Sequence, residues 1–194
     1  ALATGAARQV AIEIVAETGS TNADLMARAA SLAGPVLLMA GMQTAGRGRA
    51  GRTWHSAAGA SLTFSLAWKF KRTLPQLVGL PLAVGVAIAD ALHGCGVDVR
   101  LKWPNDVLLD GRKLAGILIE TATAPDGLWT VIGIGINLAL PQTLAGRIDS
   151  PAAALPPLRV TRTELLAALL NSLAPALSEF DVTGIAPFTE RWNA

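Results

Sequence analysis

The sequence has one cysteine, two histidines and few charges: Asp, Glu, Lys and Arg make up 15% of its 194 residues. A lone Cys95 excludes an internal disulfide framework and suits a reducing cytoplasm. His55 and His93 stand apart, with no cysteine or carboxylate at ligand spacing, which argues against zinc. No basic-apolar-small pattern of a secretory signal opens the chain. Mean hydropathy is +0.45, enough to raise the question of a membrane. The longest uncharged runs, Thr73 to Ala89 and Gly127 to Gly146, are interrupted by Pro, Gly, Asn or Gln. Neither supplies the roughly 20 clean apolar residues of a span, so both read as core and no membrane partner is expected. A net charge of +2 is too small to call for nucleic acid.

One absence is local. No Asp or Glu occurs between Asp24 and Asp90, while Arg28, Arg47, Arg49, Arg52, Lys69, Lys71 and Arg72 all fall inside. A positive field without internal relief suits a small anionic ligand. At its centre lies Gln43-Thr44-Ala45-Gly46-Arg47-Gly48-Arg49-Ala50-Gly51-Arg52-Thr53-Trp54. Three guanidiniums so close repel one another unless an anion sits among them; the alternative is a solvated surface loop. Gly46 to Gly51 satisfies the dinucleotide pattern G-x-G-x-x-G, but no helix follows and no ribose carboxylate appears before Asp90. A phosphate loop of the G-x-x-x-x-G-K-S/T kind is also missing. The glycines are better explained as letting backbone N–H groups approach an anion that the arginines close over.

Around this loop the elements can be placed by pattern. Val10 to Glu17 reads as a strand, and Ser20-Thr21-Asn22 offers capping side chains for a helix over Ala23 to Ala30. Val36 to Met42 reads as a buried strand. The alternation from Leu62 to Lys69 predicts a half-buried one. Leu77 to Leu92, apolar on nearly every side, predicts a helix buried against a sheet. Val97 to Trp103 reads as a strand, and Asp110-Gly111 marks a tight hairpin between Val107-Leu108-Leu109 and Leu114 to Glu120. A turn at Pro125-Asp126-Gly127 leads to a strand over Trp129 to Leu138, whose exposed edge would suit pairing with a second copy. Pro141 to Pro157 lacks periodicity and reads as a loop. A helix capped by Thr163 runs to Phe180, and a short one follows over Ala186 to Trp192. Hairpin-linked strands with intervening helices predict an α/β (α+β) domain: a mixed, largely antiparallel sheet covered by helices.

A second cluster, Lys102-Trp103-Pro104-Asn105-Asp106, precedes Arg112-Lys113-Leu114-Ala115-Gly116-Ile117. Lys113 leads into an apolar strand, an awkward place for an ammonium unless it meets an anion or turns to water. Asp106 could cap, pair with Lys102, or hold a metal near phosphate. Gly133 and Gly135 weaken a strand unless a ligand or backbone comes close, or a helix packs there.

Taken in order, Ser20-Thr21-Asn22, the Gln43 to Trp54 stretch, Lys102 to Asp106, Lys113 to Ile117 and Gly135-Ile136-Asn137 closely resemble biotin protein ligases. The resemblance covers nearly the whole chain. It implies a catalytic domain related in fold to class II aminoacyl-tRNA synthetases and lipoate ligases, which uses Mg²⁺ and ATP to make biotinyl-5′-AMP and passes biotin to a lysine of a biotin carboxyl carrier protein. It implies biotin contacts from Ser20, Thr21, Asn22, Gln43, Gly46, Arg47, Gly48, Arg49, Lys113 and Gly116. It implies ATP contacts from Arg47, Arg49, Arg52, Trp54, Lys102, Asn105, Lys113 and Asn137, with Lys113, Arg49 and Arg52 catalytic and Asp106 the metal candidate. Relatives carry an N-terminal winged helix for DNA or a small C-terminal β-barrel; neither is expected in this chain, nor is DNA binding. Leu144 and Ile148 stand where a tryptophan would cover adenine. A lipoate or octanoate ligase or transferase of the same fold, and a non-catalytic biotinyl-adenylate sensor, are the alternatives.

Overall fold

The computed structural model describes residues 5–124, 127–148 and 151–193. Strand β1 (Ala11–Thr18) pairs in parallel with β2 (Val36–Gln43), and helix α1 (Thr21–Arg28) connects them. Ser20 caps α1, its hydroxyl accepting from the Ala23 amide as the sequence predicts. From β2 onward the strands pair antiparallel. Strand β3 (Ser61–Phe70) pairs with β2, and helix α2 (Leu80–Gly94) leads to β4 (Arg100–Lys102), β5 (Asp106–Leu109), β6 (Arg112–Ala124) and β7 (Gly127–Asn137). The sheet order is β1-β2-β3-β7-β6-β5-β4. Asp110 and Gly111 both adopt positive φ, 51° and 72°, the backbone of the primed turn expected between β5 and β6. The turn predicted at residues 125–126 lies outside the described residues.

Strand β7 contradicts its predicted exposure. It lies between β3 and β6, paired on both sides, and Trp129 is buried. Its many β-branched residues mark a central strand, and among the described strands the sheet edges are β1 and β4. No second copy can pair along β7.

Strand β3 departs from expectation in a different way. Leu62, Phe64, Leu66, Trp68 and Phe70 face the main core under α2 and α4 (Arg162–Thr183). The opposite face, with Ser61, Thr63 and Ser65, is buried as well, because α1 crosses it. Its polar groups are enclosed, and Ser65 reaches an interior cavity.

Helix α2 is apolar all round because it is enclosed between the sheet and α4. The cap of α4 is Thr161, two residues before the predicted Thr163: its hydroxyl accepts from the Glu164 amide while the Glu164 carboxylate accepts from the Thr161 amide. The Thr161 amide and hydroxyl, both donating to it, hold the Glu164 carboxyl below its usual range. Within residues 141–157 the structure adds a short turn of helix, α3 (Gln142–Ala145), and α5 (Ala186–Asn193) closes the described chain. By length and composition the helical stretches Leu74–Gly94 and Arg162–Thr183 could each cross a membrane, which the broken uncharged runs did not reveal; 72% and 50% of their most apolar windows are buried in the fold.

Candidate active site

One cavity of about 630 Å³ opens above β3, β6 and β7 and gathers most of the predicted residues. Ser20, Thr21, Asn22, Gln43, Arg47, Gly48, Arg49, Arg52, Trp54, Asn105, Asp106, Lys113, Gly116 and Asn137 all reach its wall. Gly46 and Lys102 do not. The Gly46 carbonyl is taken by the Trp54 amide at 2.9 Å, and a side chain at Gly46 would overlap the Trp54 carbonyl. Gly46 therefore closes the base of the loop without facing a ligand.

The inner end is neutral and polar. Ser20, Thr21 and Asn22 are buried at the start of α1. Gln43 Oε1 accepts from the Thr21 amide at 2.8 Å, which leaves the Gln43 amide nitrogen as its donor. Ser65, Phe64, Leu118 and Ile134 complete this end; pattern reading passed over Ser65 because it took that face of β3 for a wet one.

Three glycines make the room. A Cβ at Gly133 would overlap the carboxamide of Asn22, and one at Gly135 would overlap the indole of Trp54. Gly116, the cross-strand partner of Gly135, lies under the same indole: a Cβ there would come within 3.4 Å of its ring. Gly133 thus makes room for a residue of helix α1, which packs there, and Gly135 for the indole of the loop. Trp54 Nε1 is buried without a protein partner.

The outer end is cationic. Lys113 lies across Gly116 and its ammonium is 2.7 Å from Asp106 Oδ1, a charge contact outside hydrogen-bond alignment. The anion it meets within the chain is therefore Asp106. Lys102, the partner expected for Asp106, stands opposite in backbone register, but the carboxylate turns to Lys113. Two of the loop arginines are held from β6 and the turn before β5: Arg47 donates to Glu120 at 2.5 Å and Arg49 to Asn105 Oδ1 at 3.1 Å. The acid-free segment is thus relieved from outside itself. Arg28, likewise, pairs with Glu13. The loop is folded, with Gly48 donating to the Arg52 carbonyl at 2.7 Å and a bridge between Arg47 and Thr53.

Asn137 ends β7 and ties the far wall. Its amide nitrogen donates to the Ala153 carbonyl at 2.9 Å, while Lys113 and Ala152 form a parallel bridge. The Asn137 Oδ1 is buried and unpaired. Of the two adenine-cover candidates, Ile148 lines the cavity and Leu144 is buried away from it; Arg147, unpredicted, joins Ile148 at the wall. Among the described residues no three His, Cys, Asp or Glu side chains group closely enough to hold a metal.

Residues 14–137 match the model of the Biotin/lipoate A/B protein ligase family. The bifunctional ligase/repressor BirA of Escherichia coli is 39% identical over 178 residues, covering 90% of this chain and 56% of that protein. The biotin–[acetyl-CoA-carboxylase] ligase of Paracoccus denitrificans is 37% identical over 193 residues, covering 93% of this chain and 79% of its own. The chain thus spans little more than half the length of the Escherichia coli relative. The Aquifex aeolicus biotin protein ligase, solved with biotin and ATP, superimposes with a TM-score of 0.75 at 29% identity, over 94% of this chain and 76% of that one. The sheet and its helices are accordingly the class II synthetase-like architecture of biotin protein ligases. With the family pattern running unbroken from β1 to the Asn137 at the end of β7, the chain belongs to the biotin/lipoate A/B protein ligase family.

Proposed function

We propose that the chain activates biotin with ATP and transfers it to a lysine of a carboxyl carrier domain. The observation that carries this is the polarity of the cavity: buried neutral hydrogen-bonding groups at one end, Arg49, Arg52 and Lys113 at the other. Biotin has the same division, with a neutral ureido ring and a carboxylate at the end of an apolar chain. Thr21, Ser20 and Gln43 hold the ring, and Leu118 flanks the chain.

In the first step a biotin carboxylate oxygen attacks the α-phosphorus of ATP, the bond to the bridging oxygen breaks, and pyrophosphate leaves with the electron pair. Attack of one anion on another is slow chiefly through repulsion, and cations fixed in advance lower that barrier. Lys113 moves from Asp106 to the junction of carboxylate and phosphate, while Arg49 and Arg52 neutralise the remaining oxygens. The unpaired Asn137 Oδ1 accepts from the adenine amino group, and Ile148 and Arg147 cover the base. In the second step the carrier lysine attacks the acyl carbon and AMP leaves.

Mg²⁺ would come with the triphosphate. One carboxylate, Asp106, with phosphate oxygens and water fits that ion's usual coordination, and it would shield the leaving pyrophosphate. Transfer of labelled biotin to a carrier domain tests the assignment. Lys113→Ala should reduce adenylate formation by roughly 10³-fold or more, the scale of a lost transition-state cation. Normal transfer by that variant would remove Lys113 from the chemistry, and absence of pyrophosphate release by the unaltered chain would end the ligase assignment.

A further inference from the structure

The proposed chemistry leaves Glu120 without a task, although two parts of the cavity converge on it. Its Oε2 accepts from Asn22 Nδ2 at 3.0 Å and, from the other side, from Arg47 Nη2 at 2.5 Å. Behind Asn22 stands a row of hydroxyls. Ser65 donates to Asn22 Oδ1 at 2.5 Å, and Thr21 Oγ1 lies 2.6 Å from Ser65 Oγ.

The protons in this row have one consistent arrangement. Ser65 has a single proton and gives it to Asn22, so the close contact between hydroxyls needs the Thr21 proton. Gln43 Oε1, 3.0 Å from the Thr21 hydroxyl, is a second acceptor within its reach, but it also has the Thr21 amide, whereas the shorter Thr21–Ser65 contact has no other proton. Donation therefore runs from Thr21 through Ser65 and Asn22 to Glu120. A carboxylate only accepts, so it ends the row, and it can take a second donor from the loop without reversing any bond. Gly133 is part of the same device, because only its missing side chain lets Asn22 lie where it reaches Glu120.

We propose that Glu120 is the latch of the arginine loop, a positioning residue that fastens Arg47 to the hydrogen-bonded floor of the cavity. Floor and loop then share one oxygen, and the hold on the loop depends on the state of the floor. The latch belongs to the ligand-free chain; its consequence, retention of an activated acyl group, rests on the proposed ligase reaction.

Glu120→Gln keeps the shape and removes the charge. In hydrogen exchange of the ligand-free chain, amides of residues 45–53 should exchange about fivefold faster than in the unaltered protein, the scale of one lost surface ion pair, while those of residues 61–70 stay unchanged. Arg47→Gln should match this effect and add nothing in the Glu120→Gln background. Equal loop exchange in Glu120→Gln, or effects that multiply in the double variant, would overturn the latch. With biotin and ATP, the half-life of enzyme-held biotinyl-adenylate should fall by about the same fivefold factor while biotin affinity changes less than about twofold. An unaltered half-life beside accelerated loop exchange would overturn the retention role. If the unaltered protein makes no adenylate, the ligase assignment fails and the exchange result still judges the latch.

Discussion

Strands β3 and β7 pair along all ten residues of β3, and core packs against both faces of the sheet around them. The Gly46 to Trp54 loop lies directly above and is fastened by a few backbone bonds and two exposed arginine contacts. Apolar burial is cumulative, is not screened by salt and is indifferent to which ligand is present. An exposed charge pair is worth about 0–1 kcal/mol and can be exchanged for another anion at little cost. Rigidity therefore sits in the sheet, which places the ligand, and exchangeable contacts sit in the loop, which has to admit and release it.

Breaking each region in turn gives the largest contrast. Leu66→Ala, in the middle of β3 and fully buried, should cost about 2–5 kcal/mol in urea unfolding. Arg49→Ala, on the loop, should stay within about 0.5 kcal/mol in the same assay yet depress adenylate formation severely. A loop variant as destabilising as the core variant would show that the arginines hold the fold together, and the division between regions would fail.

The two regions meet at Gly135, where the Trp54 indole of the loop lies on the sheet. Gly135→Ala should cost about 1–3 kcal/mol by overpacking, and binding of biotin and ATP should suffer further because the indole must move. Adding Trp54→Leu should restore most of the stability but not the binding. Failure of the second substitution to recover stability would mean that the added methyl meets something other than the indole.

Much of this was legible in the sequence, and the failures have a common cause. The apolar run of α2, the inner-face leucines of α4, the Asp110-Gly111 turn and the Ser20 cap are local signals and were found within a few residues of where they were expected. Pattern reading assumes that polar means wet. It therefore left the Ser61, Thr63, Ser65 face of β3 exposed, when that face is buried and Ser65 lines the cavity. It also took β7 for an edge, because strand order is not written in any single strand. Partners from distant residues were beyond it for the same reason: nothing in residues 43–54 announces Glu120 or Asn105. Gly133 and Gly135 left several explanations open, and the decision lay with Asn22 and Trp54, both far away in sequence.

The smallest expected effect tests whether exposed pairs are as weak as the contrast requires. Glu13 on β1 faces Arg28 at the end of α1, with side chains 39% and 38% exposed. The hydrogen bond from Arg28, aided by its charge, holds the Glu13 carboxyl below its ordinary value of 4.5, against the opposing effect of burial. A carboxyl with a lowered folded pKa adds stability above its unfolded pKa and loses it as pH falls through the folded one. Glu13→Gln should therefore cost about 0.2–1 kcal/mol at pH 7. The gap between variant and unaltered protein should begin to close near the ordinary value and vanish below the lowered one. It should also shrink in about 1 M salt, where the screening length falls to roughly 3 Å. A gap that persists at low pH would trace the effect to packing of the Glu13 side chain, and charge pairs on this surface would then need to be judged one at a time.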